Sequence, residues 1–266
     1  MSLLCLDVGN RLSVIGVWDD LDGQPVLRGR WTISSDATRT ADEWYLVAHG
    51  FVRAAGFADD DIEAVSMCCT VPSIGVEVRG MLDRYFDHVP VWVVGPGVRT
   101  GVAIHTDNPR EVGTDRIVNA LAATHLYGGP AIIVDLNGTA TIVDVVDGRG
   151  RYLGGAIAPG VEVSLEALAQ RGAQLRSVEV AEPRGVIGKN TVEAIQAGAV
   201  YGFAGLVDGL VDQMIDAIDA EPENVTVVAT GTFSEAIAGH CQTLTHREDD
   251  LTLIGLRLVH EKNRDT

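Results

Sequence analysis

The chain has 266 residues, of which 46% are hydrophobic, and its formal net charge at pH 7 is −17. This length suits one large domain or two of ordinary size, and the apolar content argues against disorder. Because the net charge is strongly negative, we do not expect a nucleic-acid partner. The sequence has no run of about 18 apolar residues, and we therefore do not expect a membrane span.

The first part of the chain predicts three strands and then alternating helices and strands. Thr40 is typical of a helix N-cap, because two acids and a series of apolar residues at helical spacing follow it. A second helix is predicted to begin near Pro72. The predicted strands are residues 3–8, 13–19, 25–33, 62–70 and 89–94. By analogy, the order βββαβαβ is that of one lobe of an actin-like or Hsp70-like phosphotransferase fold.

The rest of the chain repeats three strands, after a predicted helix that begins near residue 114. Helices are expected at 161–171, 191–218 and 251–259, and later strands at 131–134, 139–146, 152–157 and 225–229. We therefore predict an α/β protein with two actin-like (ribonuclease H-like) lobes, each of βββαβαβα type, with a nucleotide cleft between them. The expected lobes are residues 1–117 and 118–266.

A strand that ends in Asp beside a Gly corner occurs once in each half. Asp7 precedes Gly9-Asn10, and Asp135 precedes Asn137-Gly138, where the residue types favour positive φ. Backbone N–H groups in such a corner can hold phosphate oxygens, and the Asp can hold Mg²⁺ or its waters. One copy alone is more simply an ordinary hairpin turn. Two copies at matching places favour a nucleotide site.

Asp115-Arg116 follows Gly113 at a predicted junction between a loop and a helix. The N–H groups and the dipole of a helix N-terminus favour an anion, and Arg can clamp a carboxylate or phosphate. Asp115 could also accept a proton from a substrate hydroxyl. The alternative is that Asp115 only caps the helix and that Arg116 is an ordinary surface residue. The spacing of the residues does not distinguish the two hypotheses.

Two further polar positions fit a ligand or an ordinary turn. Thr191 begins a predicted helix after Lys189, so that a hydroxyl and a cation lie at one helix end. Thr230-Gly231 follows a predicted strand and could approach an adenine face, or could be a simple turn between strand and helix.

The four cysteines do not form a C-x-x-C pair. They are Cys5, Cys68, Cys69 and Cys241, and three of them lie in apolar runs that resemble strands. We interpret them as thiols of a protein in a reducing cytoplasm, without a zinc site or a disulfide framework.

Taken together, the motifs resemble those of the type III pantothenate kinases, most closely the actinobacterial members, over essentially the whole chain. The matching blocks include DVGN (7–10), GPGVRTG (95–101), DNPREVGTDRIVNA (107–120), GGAIAPG (154–160) and GKNTVEAIQAGAVYGFAGLVDG (188–209). The resemblance implies transfer of the γ-phosphate of ATP to pantothenate, the first step of coenzyme A synthesis. It also implies Mg²⁺, a monovalent cation (K⁺ or NH₄⁺), and a homodimer whose interface lies in the C-terminal lobe.

The resemblance also implies a role for each matching residue. Asp115 would be the base, and pantothenate would be held by Gly113, Arg116 and Thr191. The first phosphate loop would contain Asp7, Gly9 and Asn10, with Asp7 on Mg²⁺ through the phosphates. Arg11, which follows this loop, does not match the family pattern and is a separate candidate for a contact to the γ-phosphate. The second would contain Asp135 at the monovalent cation, with Gly138 and Thr139, and Thr230-Gly231 would lie beside the adenosine.

The chain departs from the family pattern in all three nucleotide motifs. Arg11-Leu12 replaces a small hydroxyl residue and its neighbour in the first loop. Asn137 stands where the second loop usually has Gly, as if one residue were inserted, and Thr232 replaces the second glycine of the adenosine motif. Three hypotheses follow: a pantothenate kinase that tolerates these changes, a paralogue with another phosphoryl donor or hydroxy-acid acceptor, or a non-catalytic binding protein.

Overall fold

The computed structural model describes residues 2–172 and 178–264, which group into two compact units. The first unit consists of residues 2–101, 110–122 and 252–264. The second consists of residues 102–109, 123–172 and 178–251. This grouping differs from a simple division near residue 117, because the end of the chain groups with the first unit.

The first unit is built on a five-stranded sheet in the order β3-β2-β1-β4-β5. Its elements are β1 (Leu3–Val8), β2 (Leu12–Leu21), β3 (Gln24–Ser34), α1 (Ala41–Ala54), β4 (Ala64–Cys69), α2 (Pro72–Tyr85), β5 (Val91–Val93), the start of α3 (Thr114–Tyr127) and nearly all of α7 (Leu251–Asn263). The predicted order βββαβαβ is confirmed. Strands β1, β2 and β3 pair antiparallel, whereas β4 pairs parallel with β1 and β5.

Thr40 caps α1 as predicted. Its hydroxyl accepts from the N–H of Glu43, and the Glu43 carboxylate accepts from the N–H of Thr40 at 2.8 Å. This capping box satisfies two N–H groups that a helix start leaves without a partner. Helix α1 buries Trp44, Ala48 and Val52 in the core of the first unit.

The second unit is built on a six-stranded sheet in the order β11-β10-β7-β8-β9-β6. Its elements are β6 (Ala103–Ile104), β7 (Ala131–Leu136), β8 (Ala140–Val146), β9 (Arg151–Pro159), α4 (Val161–Arg171), α5 (Thr191–Ala217), β10 (Thr226–Thr230), α6 (Ser234–Ala238) and β11 (His246–Arg247). The predicted meander β7-β8-β9 is present, with antiparallel pairing. Two helices in succession, α4 and α5, separate it from β10, so that this unit does not repeat the element order of the first.

Helix α5 is the longest helix of the described chain, with 27 residues. Seven of its residues, among them Val207 and Val211, are buried, and these two valines lie in the core of the second unit. Among the described residues, it is the one helix whose length and composition would also suit a membrane span, and 33% of its apolar window is buried. The core helix of a globular domain meets the same criteria.

Helix α7 is joined to the first unit by close packing and by one buried amide. A Cβ on Gly16 of β2 would lie 2.8 Å from Cδ1 of Leu253, so that the glycine provides the space for this leucine. The buried Asn263 accepts from the N–H of Arg99 at 3.0 Å and donates to its carbonyl at 2.8 Å. These contacts explain why the end of the chain groups with the first unit.

Candidate functional site

The first predicted Asp lies at the carboxyl edge of two parallel strands. Asp7 near the end of β1 is paired with Cys68 of β4, so that both side chains lie on the same face of the sheet. The Cys68 thiol donates to Oδ1 of Asp7 at 3.3 Å. The carboxyl ends of parallel strands are where open α/β sheets bind ligands. Asp7 is therefore well placed for a ligand role.

A tight corner follows Asp7, as predicted. A Cβ on Gly9 would lie 2.7 Å from the carbonyl oxygen of Leu12, and glycine is therefore needed for this close approach. Asn10 and Arg11 are exposed at the tip of the corner. The Ser13 hydroxyl lies 2.7 Å from that of Ser35.

The start of α3 is held against the end of β4 by the Thr114 hydroxyl. This hydroxyl accepts from the N–H of Cys69 at 3.2 Å and donates to its carbonyl at 3.3 Å. The carbonyl of Gly113 accepts the first helical bond, from Ile117. A Cβ on Gly113 would lie 2.5 Å from Oδ1 of Asp115, so that a larger residue at 113 would displace this carboxylate.

Asp7 and Asp115 influence one another electrostatically. Burial and the negative charge of Asp115 raise the pKa of Asp7 to about 7, although the Cys68 hydrogen bond and Arg30 act in the opposite direction. Burial and the same two carboxylates raise the pKa of Cys68, so that it remains a neutral thiol. The structure thus brings the predicted Asp7 and Asp115 close enough to interact in the first unit.

The second predicted Asp occupies an equivalent position in the second unit. Asp135 of β7 is paired with Thr230 at the end of the parallel strand β10, and both residues are buried. The Asn137 amide donates to Oδ1 of Asp135 at 2.7 Å. Oδ1 of Asn137 lies 3.3 Å from both the N–H and the hydroxyl of Thr232. One side chain therefore links the loop after β7 to the loop after β10.

The positive φ predicted at Asn137-Gly138 is wrong, since neither residue is among those with positive φ. The N–H of Asn137 donates to the carbonyl of Ala140 at 3.2 Å and closes the turn. Gly138 lies directly against a side chain of α4: a Cβ there would lie 2.9 Å from Cδ of Glu162, which would have to shift. The Val163 N–H at the start of α4 also donates to the carbonyl of Gly138 at 3.1 Å.

Gly231 has φ +92° and approaches the same carboxylate. A Cβ on Gly231 would lie 2.5 Å from Oδ1 of Asp135 and 2.7 Å from the carbonyl oxygen of Leu136. That carbonyl accepts from the N–H of Phe233 at 2.9 Å. The predicted residues Asp135 and Gly231 are therefore neighbours in the second unit.

Thr191 is the first residue of α5. The Asn190 side chain caps the helix by accepting from the N–H of Glu193 at 2.9 Å. Thr191 lines a cavity of about 440 Å³ between α4 and α5, together with Leu165, Leu168 and other mainly apolar residues. The candidate residue Thr191 thus faces a space large enough for a small molecule.

Three residues that sequence reasoning did not assign to the site contribute to its geometry. They are Cys68, whose thiol donates to Asp7, Thr114, whose hydroxyl accepts from the N–H of Cys69, and Glu162, whose side chain lies against Gly138. The position of Cys68 near the end of a parallel strand was the one usable signal, because neighbouring strand ends meet at one edge. The other two contacts depend on how helix starts dock against loops.

Comparison with known proteins gives matches over most or nearly all of the chain. A family model described as type III pantothenate kinase matches residues 3–213. A protein named type III pantothenate kinase from Thermobifida fusca (strain YX) is 51% identical over 261 residues, which cover 98% of this chain and 99% of that protein. A protein of the same name from Streptomyces coelicolor is 51% identical over 265 residues, with 98% of each chain covered.

Solved structures with lower identity share the fold. The activator of 2-hydroxyisocaproyl-CoA dehydratase from Clostridium difficile, with bound ADPNP, matches with a TM-score of 0.55 at 14% identity, covering 100% of this chain and 98% of that one. An archaeal actin homologue matches with a TM-score of 0.52 at 10% identity, covering 98% and 99%. The predicted actin-like α/β fold class is confirmed.

Proposed function

The chain belongs to the type III pantothenate kinase family, and on that premise we propose that it transfers the γ-phosphate of ATP to the primary hydroxyl of pantothenate. The product is 4′-phosphopantothenate, and the reaction is the first step of coenzyme A biosynthesis. The observation that carries this function is 51% identity over nearly the full length of pantothenate kinases. The protein is accordingly an enzyme, a kinase with an alcohol acceptor.

We assign the role of general base to Asp115. Its carboxylate lies at the start of α3, against Gly113, and its charge acts on Asp7 of the phosphate loop. In phosphoryl transfer to an alcohol, a carboxylate near the phosphate site accepts the proton that the hydroxyl loses. In the proposed reaction Asp115 takes up that proton, the γ-phosphorus forms a bond to the hydroxyl oxygen, and its bond to the β,γ-bridging oxygen breaks, so that ADP leaves.

The contacts to pantothenate are proposed for Gly113, Arg116 and Thr191. Pantothenate carries a carboxylate, and the guanidinium group of Arg116 can bind a carboxylate with two parallel hydrogen bonds. Arg116 and Gly113 lie at the start of α3, where the helix dipole also favours an anion. Thr191 would donate its hydroxyl from the start of α5, where it lines the cavity against α4.

Each unit is proposed to supply one phosphate loop. In the first unit this loop is Asp7, Gly9 and Asn10, with the exposed Arg11 directed to the γ-phosphate charge. In the second unit the N–H groups of Gly138 and Thr139 would bind phosphate oxygens, and Thr230-Gly231 would lie beside the adenosine. Backbone N–H groups at Gly-containing turns bind phosphate because they add no side-chain bulk and no negative charge.

The described residues fit a Mg²⁺ ion that is held largely by the phosphates of ATP. Asp7 supplies a carboxylate of the kind that Mg²⁺ prefers, and Asp115 adds negative charge nearby. Within residues 2–172 and 178–264 no group of three His, Cys, Asp or Glu residues could enclose a metal. Kinase sites commonly bind Mg²⁺ with one or two carboxylates and phosphate oxygens. Mg²⁺ bound there would neutralise charge on the γ-phosphate.

Coupled ADP release tests the proposed function. Purified protein with ATP and Mg²⁺ is expected to release ADP only when pantothenate is added, and mass spectrometry should detect phosphorylated pantothenate. Calorimetric titrations with pantothenate and with ATP accompany the assay. No ADP release, with binding of pantothenate but not of ATP, would contradict the kinase assignment and support a binding protein.

We also propose a homodimer, with the interface in the C-terminal part of the chain, residues 118–266. Large apolar side chains of the second unit are exposed, including Ile157 (65%), Val186 (68%) and Ile187 (82%). A Cβ on Gly198 or Gly202 of α5 would meet nothing within 4 Å, so that the helix leaves open space at these glycines. Exposed apolar surface of this kind is typical of an interface between subunits.

Ile187→Asp is expected to weaken the dimer by at least about tenfold, or about 1.4 kcal/mol of association free energy. The reason is that a charge placed in an apolar interface loses its hydration. Analytical ultracentrifugation over a concentration series measures the change. Leu46→Asp, at an exposed leucine of α1 in the first unit, is the matched control and should leave the dimer intact. If wild type and Ile187→Asp have the same dimer dissociation constant, Ile187 is not part of the interface.

A cytoplasmic location is proposed on chemical grounds. All four cysteines are free thiols, and Cys5 and Cys68 are buried. Free thiols persist in reducing compartments, whereas secreted proteins tend to oxidise them. No nucleic-acid or membrane partner is part of the proposal.

A further inference from the structure

The monovalent cation that the family resemblance places at Asp135 does not fit the residues around this carboxylate. The Asn137 amide already donates to Oδ1 of Asp135 at 2.7 Å. A carboxylate only accepts hydrogen bonds, so that the group beside it must be the NH₂ of Asn137 rather than its oxygen. The partial positive charge of that amide therefore faces Oδ1, one of the two carboxylate oxygens that a cation could bind.

The opposite end of the Asn137 side chain is also held. Its oxygen lies 3.3 Å from the N–H of Thr232 and 3.3 Å from the Thr232 hydroxyl. An N–H group can only donate, and this contact fixes the same orientation of the amide from the other side. The amide is thus oriented at both ends, and it cannot turn its oxygen toward Asp135 without losing these contacts.

Other oxygens near Asp135 are engaged by N–H groups of the chain. The carbonyl of Leu136 accepts from Phe233 at 2.9 Å, and the carbonyl of Gly231 accepts from Ser234 at 3.1 Å. K⁺ is bound in proteins by several oxygens that replace its water shell. Each of these carbonyl oxygens has two lone pairs and already gives one of them to an N–H donor, so that the loop offers such an ion a weaker set of ligands.

The two departures from the family pattern in this unit are in contact with each other. Asn137 is the residue that stands where the second loop usually has glycine, and Thr232 replaces the second glycine of the adenosine motif. Glycine at 137 would remove the link altogether, because it has no side-chain amide. Glycine at 232 would keep the N–H contact to Asn137 and lose the hydroxyl contact. The Thr232 hydroxyl therefore adds a second contact to the Asn137 oxygen.

We propose that the Asn137 amide takes the place of the monovalent cation at Asp135, so that this kinase works without K⁺ or NH₄⁺. Asn137 is a positioning residue: it holds the Asp135 carboxylate and joins the loop after β7 to the loop after β10. This inference rests on the proposed function only where it concerns catalysis. The statement about cation binding stands independently of it.

The test compares wild type with Asn137→Ala, which removes the amide, and Asn137→Asp, which keeps the shape and replaces NH₂ by an oxygen. Thermal unfolding is recorded in KCl and in tetramethylammonium chloride at equal ionic strength. The midpoint of wild type should be the same in both salts, and that of each variant should be higher in KCl. Asn224→Ala, in an exposed turn of the same unit, should respond as wild type does.

Two further readouts complete the test. ADP release by wild type should not depend on K⁺, whereas the variants should be stimulated roughly tenfold, a usual size for coupling between two ligands. Crystals of wild type soaked in Tl⁺, a K⁺ substitute, should give no anomalous peak at Asp135, and crystals of Asn137→Asp should give one.

A K⁺-dependent midpoint in wild type, or Tl⁺ bound at its Asp135, would overturn the proposal, as would variants that ignore K⁺. If Asn137→Ala fails to fold, Asn137→Asp and the wild-type crystals still decide the question. If no form of the protein releases ADP, the proposed kinase function fails, and the thermal and anomalous measurements still test cation replacement.

Discussion

Asp115→Asn is expected to lower kcat for pantothenate-dependent ADP release by about 10²–10⁴-fold, the usual contribution of a general base. The amide cannot accept the hydroxyl proton, but it keeps the size of the side chain against Gly113. KM for ATP should change little, because Asp115 is assigned to the acceptor hydroxyl. Steady-state kinetics with both substrates varied separates these effects.

Stability separates loss of the base from loss of the fold. Replacement of the Asp115 charge removes a repulsion that raises the pKa of Asp7, and the variant should therefore unfold at the same temperature as wild type or above it. Asp83→Asn, at an exposed position of α2, is the matched control and should keep full activity. Unchanged kcat in Asp115→Asn would remove Asp115 from the mechanism.

Gly231→Ala is expected to reduce the free energy of unfolding by about 2–3 kcal/mol and to abolish ATP binding. Gly231 has φ +92°, which disfavours any side chain, and its Cβ would be forced within 2.5 Å of the Asp135 carboxylate. Either the loop after β10 or the carboxylate must move. Chemical denaturation and calorimetric titration with ATP measure the two effects.

The control for this glycine is Gly239→Ala. Gly239 follows α6 with φ −64°, and a Cβ on it would meet nothing within 4 Å. This variant should match wild type in both measurements. If Gly231→Ala bound ATP as tightly as wild type, the loop after β10 would not be part of the nucleotide site.

Much of the fold could be predicted from local pattern. The β-branched runs, the Thr40 capping box and the Asp-Gly corners are short-range signals, and the strands and helices that they predict are present. The pairing of Asp7 with Cys68 could not be predicted, because it depends on the register between strands that are far apart in the chain. The grouping of α7 with the first unit has the same origin, since it depends on the match between Leu253 and the space at Gly16.

The error at Asn137-Gly138 shows why local rules fail inside a site. Asn-Gly ordinarily indicates a turn with positive φ. Here the glycine provides room for Glu162, and the asparagine is held by Asp135 and Thr232. Long-range contacts determine both residues, and the local pattern contains no information about Glu162 or Thr232.

The attachment of α7 to the first unit has a consequence for synthesis on the ribosome. The first unit needs residues 252–264, which are translated after every residue of the second unit. During translation, the contacts of Leu253 at Gly16 and of Asn263 with the backbone of Arg99 therefore form only after the whole second unit has left the exit tunnel. The nascent chain can complete its C-terminal sheet first, in contrast with the usual order in which N-terminal domains fold first.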